Sequence, residues 1–342
     1  MNKRLLAALL CAALLLAGCK TPPPAATPVP SIAPQSTQRP VSPSPTASAS
    51  KGLMPSIPAS IAQGENTEPQ LSVYVVQDDQ IVEQPLEEYI TAVVAGEMKK
   101  EWPAAALEAQ AIIARTFVLQ FIAEKGGSQY GNADVSTDIK EAQAYNPENI
   151  NDAIQQAIQN TRGQVMVYEG EFVRGWFHAH AAGVTAYAKE GLAYDGEEPP
   201  YIIVTASPDS PDAPKEEVEW TVRIPLEKAL TAAREVSGND ELTSLEGLTI
   251  GETGPSGRAV TFTTTAGDSF SAPAFRMALG STEFKSTLIK SMRLEGDALV
   301  VSGLGYGHGV GMSQWGAYQM AKDGKSAQDI LAYYFKDVQF ET

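Results

Sequence analysis

In the region from residue 71 to residue 342, apolar positions alternate with polar ones near the middle and recur every three to four residues toward both ends. Alternation is typical of β-strands, and the longer period is typical of amphipathic helices. The predicted strands are 71–76, 164–168, 171–180, 201–207, 219–224, 259–265 and 298–302. The predicted helices are 85–98, 103–124, 147–160, 225–236 and the last 30 residues. This order indicates an α+β fold with an antiparallel, β-rich centre.

The first predicted helix carries one carboxyl group on its apolar face. Leu86, Ile90, Val93 and Glu97 are spaced by four, three and four residues, so their side chains share a face. Loss of hydration on such a face raises the pKa of a carboxyl group toward the range that a general acid needs. Periodicity alone favours a simpler interpretation, in which a Glu in the last helical turn reaches solvent or bonds a neighbour. Glu97 is therefore a candidate acid that needs independent support.

Glycine occupies every odd position from Gly303 to Gly311. The spacing fits neither a phosphate-binding loop nor a dinucleotide fingerprint. If the run is extended, its glycines form a bare face against which a polymer could lie; tight packing of strand on strand is an equally supported alternative. Ser313 is predicted to cap a helix over 314–322 that ends near Gly324, with Gln314 directed toward the same groove.

His178 and His180 lie on one face of a predicted strand, and His308 is the third histidine of the chain. A histidine pair binds a metal only where a third ligand converges. Structural or substrate-contacting roles are the more frequent outcome for such a pair. We therefore predict no metal and no other cofactor.

The chain begins like an exported lipoprotein. A cationic start is followed by an apolar run over 5–17 that is too short to span a bilayer as a permanent helix, and the run ends in Leu16-Ala17-Gly18-Cys19. Residues 1–18 are predicted to be a lipoprotein signal peptide, with Cys19 lipidated at the mature N-terminus; an ordinary signal peptide with an incidental cysteine is the alternative. The other cysteine, Cys11, lies within the signal, so the mature chain can form no disulfide.

Composition separates a tether from a folded part. Residues 20–64 hold 11 of the 23 prolines and no aromatic or acidic residue, so they cannot bury enough apolar surface to fold. We assign 19–70 to a lipid-anchored tether with a reach on the order of 100 Å, and 71–342 to the folded part. Residues after Gly64 carry 20 Lys and Arg against 41 Asp and Glu, a formal charge of −21, which excludes a nucleic-acid partner.

Several stretches together resemble the stage II sporulation protein D family, also called the SpoIID/LytB domain. The resemblance covers nearly the whole folded part, and its pieces occur in family order. Its motifs are Leu86 to Ile90 with Gly96-Glu97-Met98, Leu107 to Ala111 with Ala114-Arg115-Thr116, Thr161 to Val165, Ser256-Gly257-Arg258, Phe275-Arg276, Gly307 to Ala317, Ile330-Leu331 and Tyr333-Tyr334-Phe335. The stretch from Gly307 to Ala317 is the most distinctive of them.

The resemblance implies a lytic transglycosylase that cleaves peptidoglycan glycan strands, preferably after their peptides have been removed, with Glu97 as the catalytic residue. Helices from both ends of the chain are then expected to surround a substrate groove outside the cytoplasm. His308, Ser313, Gln314, His178 and, more weakly, Arg115 are the candidates for holding the sugar. Arg115 has a simpler alternative role as a helix-face ion pair.

The chain departs from the family pattern at three places. Lys99 replaces the proline that usually follows the Glu-Met pair, and the 178–183 segment lacks the usual serines. Some members bind zinc through a His and two Cys, one of them in a Cys-Gln-x-Tyr stretch. Here that stretch is Ala142-Gln143-Ala144-Tyr145, so zinc bound in this way is not expected.

Two other functions remain open at the level of sequence. One is a non-catalytic, wall-binding activator of an N-acetylmuramoyl-L-alanine amidase, which the family's older name of amidase enhancer suggests. The other is a muramidase-type hydrolase, which needs a second carboxylate to activate water or attack carbon. Asp134, Asp138 and Glu190 are the candidates for that second carboxylate.

Overall fold

The structure is a computed structural model, and it describes residues 54–342. The predicted signal peptide, Cys19 and most of the tether lie outside these residues. The helices are α1 Leu86–Glu97, α2 Ala104–Lys125, α3 Asp152–Asn160, α4 Ala188–Leu192, α5 Lys215–Val218, α6 Leu226–Ser237, α7 Ala272–Leu279, α8 Gln314–Lys322 and α9 Ala327–Tyr334, with a 3-10 turn at Pro147–Asn149. Helices α1, α2 and α6 each follow a proline, as the sequence predicts.

The strands form small sheets, most of which are antiparallel. They are β1 Gln70–Val75, β2 Gln80–Pro85, β3 Val135–Ser136, β4 Val165–Tyr168, β5 Glu171–Phe172, β6 Phe177–His178, β7 Glu219–Pro225, β8 Thr249–Thr253, β9 Ala259–Thr263, β10 Ser269–Ser271, β11 Ile289–Glu295, β12 Ala298–Leu304, β13 Met312–Ser313 and β14 Gln339–Glu341. The sheet orders are β2-β1-β3, β10-β9-β8, β11-β12-β7, β13-β6 and β14-β4-β5. Only the pairs β1–β3 and β6–β13 run parallel among these. The predicted α+β class is confirmed.

The larger of two hydrophobic cores forms around α2. Its many alanines let α1, α3, α8 and α9 approach closely, and each of these helices packs against it. Within residues 54–342, α2 is also the helix whose length and hydropathy would suffice to cross a membrane, but most of it is buried inside the protein. We therefore interpret α2 as the core helix of this part of the fold.

The second core joins the sheet β11-β12-β7 to β8, β9, β10, α6 and α7. Four aromatic rings pack edge to face or tilted at its centre, with centroids 5.2–6.4 Å apart. They are Phe262, Phe270, Phe275 and Phe284. Because α7 packs on this core through Phe275, the next residue, Arg276, is held in a fixed position.

The packed part begins before residue 71, although composition predicts a tether that extends to residue 70. Ile61 is fully buried in the larger core, around α2, and Met54 and Ile57 pack against that core. The backbone N–H of Gln70 donates to the carbonyl oxygen of Ile61 at 3.1 Å. Residues from Met54 onward therefore belong to the fold and shorten the predicted tether.

Two predicted strands are wrong in whole or in part. The strand over 171–180 breaks because Gly175 lies against α2, where an added Cβ would come within 2.7 Å of the Ile113 carbonyl oxygen. Residues 201–207 form no strand, and only isolated bridges link Ile202 and Ala206 to other segments. The predicted helix over 147–160 is likewise split, since Asn151 accepts the N–H of Ile154 and caps a new helix.

The glycine run is not an extended strand with a bare binding face. Gly305, Gly307, Gly309 and Gly311 have φ between +69° and +107°, so the chain bends repeatedly after β12. A Cβ added to Gly311 would come within 2.0 Å of the Trp176 carbonyl oxygen, and one added to Gly307 would come within 2.6 Å of the His178 Cβ. The glycines therefore serve close packing of this segment on residues 176–180, which is the alternative that the sequence left open.

We expect Gly311→Ala to destabilise the fold by about 2 kcal/mol or more, because it adds a backbone clash to a left-handed conformation. Gly324→Ala is the matched control. Gly324 also has positive φ, at +82°, but an added Cβ meets nothing within 4 Å. Chemical denaturation of both variants measures the difference. Equal losses of unfolding free energy would contradict the packing role of Gly311.

Candidate active site

A cleft of about 680 Å³ contains Glu97 and draws on both cores. We call it the Glu97 cleft. Its walls come from the end of α1, the second half of α2, the loop 139–144, the segment 174–179, the region after α7, the glycine-rich segment and the start of α8. Of the predicted site residues, Glu97, His178, His308 and Gln314 line this cleft together. Ser313 and Arg115 do not.

Glu97 is the last residue of α1 and continues its buried stripe. Leu86, Ile90 and Val93 are buried, whereas the carboxyl of Glu97 is half-buried and faces the cleft. The backbone N–H of Ala144 donates to its Oε1 at 2.7 Å. Burial raises the pKa of Glu97 from 4.5 to about 7, although the Ala144 N–H and the Gln314 amide act in the opposite direction. A large fraction of this carboxyl is therefore protonated at neutral pH.

The loop that supplies the Ala144 N–H reaches Glu97 because Gly96 has no side chain. An added Cβ at Gly96 would lie 2.8 Å from both the Ala144 carbonyl carbon and the Tyr145 nitrogen. The N–H of Asn146 then donates to the Ala92 carbonyl oxygen at 2.9 Å and fixes the loop on α1. Gly96 thus allows the close approach that places a hydrogen-bond donor on the acid.

Gln314 connects the start of α8 to the end of α1. Its Nε2 donates to the backbone carbonyl oxygen of Glu97 at 3.3 Å and to the Oε1 of Gln110 at 3.4 Å. Ser313 caps α8 as predicted, since its Oγ accepts the N–H of Gly316. However, its hydroxyl is buried and donates to Asp209 at 2.6 Å. The predicted sugar contact of Ser313 is thus replaced by a structural role in positioning the helix that carries Gln314.

Both histidines of the cleft are neutral at physiological pH. Burial, followed by the nearby His308 and Arg258, lowers the pKa of His178 well below 6.5. Burial, followed by Arg276 and Arg258, lowers the pKa of His308 to about 3. The Nδ1 of His308 accepts the N–H of Val310, so its Nε2 carries the hydrogen. Neither imidazole can serve as the acid near pH 7.

His178 has one ring nitrogen without a partner. Its Nδ1–H donates to the Val310 carbonyl oxygen at 3.1 Å, and its Nε2 finds no hydrogen bond within residues 54–342. His180 lies 3.8 Å from Asp209 and lines a different cavity. His178, and not His180, therefore remains a candidate for substrate contact.

Arg115 lies outside the cleft. It is fully buried between α1 and α2, where its Nε and Nη2 donate to the two carboxylate oxygens of Glu87 at 2.8 and 2.6 Å. Its Nη1 donates to the Gln164 carbonyl oxygen at 2.8 Å. The structure corrects the proposed sugar contact to an internal ion pair, the alternative that the sequence offered.

The predicted second carboxylates also lie elsewhere. Asp134 accepts the N–H and hydroxyl of Ser72, Asp138 accepts the Tyr130 hydroxyl, and Glu190 is buried against the 256–258 backbone. None of these three carboxylates lines the Glu97 cleft. They are therefore not placed to act with Glu97.

Three other carboxylates do line the cleft, and each has a partner. Glu124 pairs with Arg174 at 2.5 Å, Glu217 accepts the Trp315 Nε1–H at 2.6 Å, and Glu141 accepts Ser128 and Gln129 donors. Burial raises the pKa of Glu97, whereas the hydrogen bond from Arg174 lowers the pKa of Glu124. The chemistry of the cleft accordingly centres on one carboxyl group.

Sequence reasoning missed several residues of the cleft. Trp102, which packs against Trp315 and Tyr318, and Trp176 provide aromatic surfaces. Gln143 is buried with both amide atoms unpartnered within residues 54–342. Arg276 enters from the second core. Lys99, which stands where the family usually has a proline, lines the same cleft, and its Nζ lies 5.0 Å from the Trp315 ring centroid.

No cluster of three or more His, Cys, Asp or Glu that could hold a metal ion occurs in the part of the chain that the structure describes. The Ala142–Tyr145 stretch supplies a backbone donor to Glu97 and has no thiol to offer a metal.

Comparison with known proteins gives consistent similarities. The sequence profile described as stage II sporulation protein matches residues 76–168, which include both Glu97 and Ala144. The chain is 29% identical to stage II sporulation protein D of Bacillus subtilis over 286 residues, 79% of this chain and 78% of that protein. It is 28% identical to the protein of the same name in Bacillus amyloliquefaciens over 281 residues, 78% of this chain and 77% of that protein. It is also 25% identical to the amidase enhancer of Bacillus subtilis over 290 residues, 72% of this chain but only 39% of that protein.

Proposed function

The chain belongs to the stage II sporulation protein D family, and we propose that it is a lytic transglycosylase of peptidoglycan. The proposed reaction breaks the bond between N-acetylmuramic acid and N-acetylglucosamine in glycan strands, preferably strands without peptides. The observation that carries the proposal is the half-buried carboxyl of Glu97, whose pKa of about 7 allows it to donate a proton near neutral pH.

The first step that we propose is proton donation. Since Oε1 of Glu97 accepts the Ala144 N–H, the acidic proton is expected on Oε2. That proton passes to the oxygen that links the two sugars while the bond from this oxygen to C1 of the muramic acid breaks. N-acetylglucosamine leaves with the proton, and Glu97 becomes a carboxylate.

In the second step, the substrate supplies its own nucleophile. The 6-hydroxyl oxygen of the muramic acid bonds to C1, and its proton passes to the Glu97 carboxylate. The product carries a 1,6-anhydro ring, and Glu97 is again protonated. No water is consumed, so one carboxyl group suffices, which matches a cleft whose other carboxylates are paired. Correct positioning of the hydroxyl supplies much of the rate enhancement.

The neighbouring groups are suited to holding a sugar. His178, His308 and Gln143 are neutral polar side chains along the cleft. Trp102 and Trp176 offer flat apolar faces of the kind that pack against sugar rings. The Gln314 amide holds the backbone carbonyl of Glu97, and the Ala144 N–H holds its carboxyl oxygen.

A non-catalytic role is the second candidate, because one relative is named amidase enhancer. Digestion of peptide-free glycan strands followed by mass spectrometry separates the possibilities. Anhydro-ended fragments support the transglycosylase, whereas new reducing ends would indicate a hydrolase. Intact strands that remain bound to the protein would instead favour a wall-binding activator of an amidase.

We also propose that Cys19 anchors the protein to the outer side of the cell membrane. This residue lies outside residues 54–342, and the proposal rests on the sequence from Leu16 to Cys19. We expect Cys19→Ala to lose acylation and to shift from the membrane fraction, as followed by immunoblotting of fractionated cells. An unchanged membrane fraction, with no lipid found by mass spectrometry in either protein, would contradict the anchor.

A further inference from the structure

Arg276 is a buried arginine in the wall of the Glu97 cleft. It lies on α7 and is only 6% exposed. Its Nε donates to the Lys285 carbonyl oxygen at 3.0 Å, its Nη2 to the Ser281 carbonyl oxygen at 3.3 Å, and its Nη1 meets the Met277 sulfur at 3.5 Å. All three partners are neutral. A guanidinium has five N–H donors, so two of them remain available.

The other two fully buried arginines have carboxylates nearby. Arg115 is bound by both oxygens of Glu87. Arg258 lies beside Glu190 and Asp209, which partly offset the lowering of its pKa by burial. Within residues 54–342, no ion pair includes Arg276. Burial lowers the pKa of Arg276 to about 10, and the group that acts against this lowering is the hydroxyl of Tyr306, which is neutral at pH 7.

An uncompensated buried charge is costly, so a ligand that supplies the counterion at this position gains from pairing with it. The carboxylate of Glu217 also lines the cleft, but it accepts the Trp315 N–H and forms no ion pair with Arg276. With a pKa of about 7, a large fraction of the Glu97 carboxyl is protonated near neutral pH, and within residues 54–342 it forms no ion pair with Arg276. The cleft therefore combines an unpaired guanidinium with an acid that does not compete for it.

We propose that Arg276 binds a carboxylate of the glycan strand, namely the free lactyl carboxylate that a muramic acid exposes once its peptide is removed. A strand that still carries peptide has an amide at this position and places its carboxylates farther from the sugar. This inference rests on the proposed function and deepens it, because it assigns the preference for peptide-free strands to one side chain. Planar, paired N–H groups are well matched to a carboxylate.

The test measures binding without cleavage, in the full-length protein with Glu97→Gln as background. Isothermal titration compares three tetrasaccharides: peptide-free GlcNAc-MurNAc dimers, the same dimers with stem peptides, and chitotetraose, which has no lactyl group. We expect the peptide-free ligand to bind at least about tenfold more tightly than the other two. Adding Arg276→Gln should abolish that preference and change chitotetraose affinity less than about twofold.

Two further variants make the result specific. Lys140→Gln removes an exposed cation from the same cleft, and we expect it to retain the preference for the peptide-free ligand. Arg276→Lys keeps the charge but loses the planar, paired N–H groups of the guanidinium, so it should retain only part of that preference. A preference that survives in Arg276→Gln, or is lost equally in Lys140→Gln, would overturn the assignment. Tighter binding of the peptide-bearing ligand would point to a peptide carboxylate and also overturn it. If the glycan ligands bind but Glu97 proves dispensable for cleavage, the proposed reaction fails while the role of Arg276 stands.

Discussion

Glu97→Gln is expected to reduce the cleavage of peptide-free glycan by a hundred- to ten-thousand-fold, the range that a positioned general acid contributes. The substitution preserves shape, and the amide oxygen can still accept the Ala144 N–H that now bonds Oε1. What it removes is the transferable proton. Release of anhydro-ended fragments, quantified by mass spectrometry over time, gives the rate for each variant.

Glu217→Gln and Glu141→Gln are the matched controls, because both carboxylates line the same cleft as Glu97. Each already accepts hydrogen bonds, from Trp315 or from Ser128 and Gln129, which an amide oxygen can also accept. We expect either variant to remain within a few-fold of the wild-type rate. If one of them fell as far as Glu97→Gln, the one-carboxyl mechanism would be wrong and a hydrolase would be favoured.

The sequence was sufficient wherever a local pattern determined the structure. The spacing of Leu86, Ile90 and Val93 predicted a buried stripe, and the structure places Glu97 at its end beside the cleft. The Ser313 cap predicted the start of α8, because capping depends only on residues within one turn. Such predictions need no knowledge of distant parts of the chain.

The missed features depend on contacts between residues far apart in sequence. Ala144 contributes a backbone N–H, which no residue type reveals in advance. Arg276 belongs to a family motif, but its sequence context does not show that α7 places it in the wall of the cleft without a carboxylate partner. Conversely, Ser313 and Arg115 fit the family motifs, yet Asp209 and Glu87 engage them inside the protein.

The glycine run shows why residue type alone can mislead. Alternation from Gly303 to Gly311 has the period of a strand, which suggested a bare face. Glycine also permits positive φ, and Gly305 to Gly311 use that freedom so that the segment can pack on 176–180. The choice between these uses is made by the partner segment.

The rate of cleavage by the wild-type protein is expected to fall about tenfold per pH unit above roughly pH 7 and to level off below it. The active form carries a protonated Glu97, whose pKa is raised to about 7 chiefly by burial. No separate base is needed at the start of the reaction, because the carboxylate forms during the first step. The pKa of His178 is lowered well below 6.5 and that of His308 to about 3, so neither histidine adds a second titration near pH 7. A bell-shaped profile would instead indicate a second titrating carboxyl group.

The same shift predicts how stability depends on pH. The folded-state pKa of Glu97 is raised above its unfolded value of 4.5. The contribution of this carboxyl to the free energy of unfolding is therefore fully present below about pH 4.5 and is lost as pH rises through about 7. Glu97→Gln has no charge to bury, so it should match the wild type at pH 5 and be more stable at pH 8 by roughly 1–3 kcal/mol. Denaturant titration at both pH values measures this difference.

If Glu97→Gln loses cleavage and gains stability only at high pH, the carboxyl that titrates near pH 7 is the same group that donates the proton. Equal stability of the two proteins at pH 8 would mean that burial does not raise the pKa of Glu97, and the acid of the proposed reaction would have to be sought elsewhere.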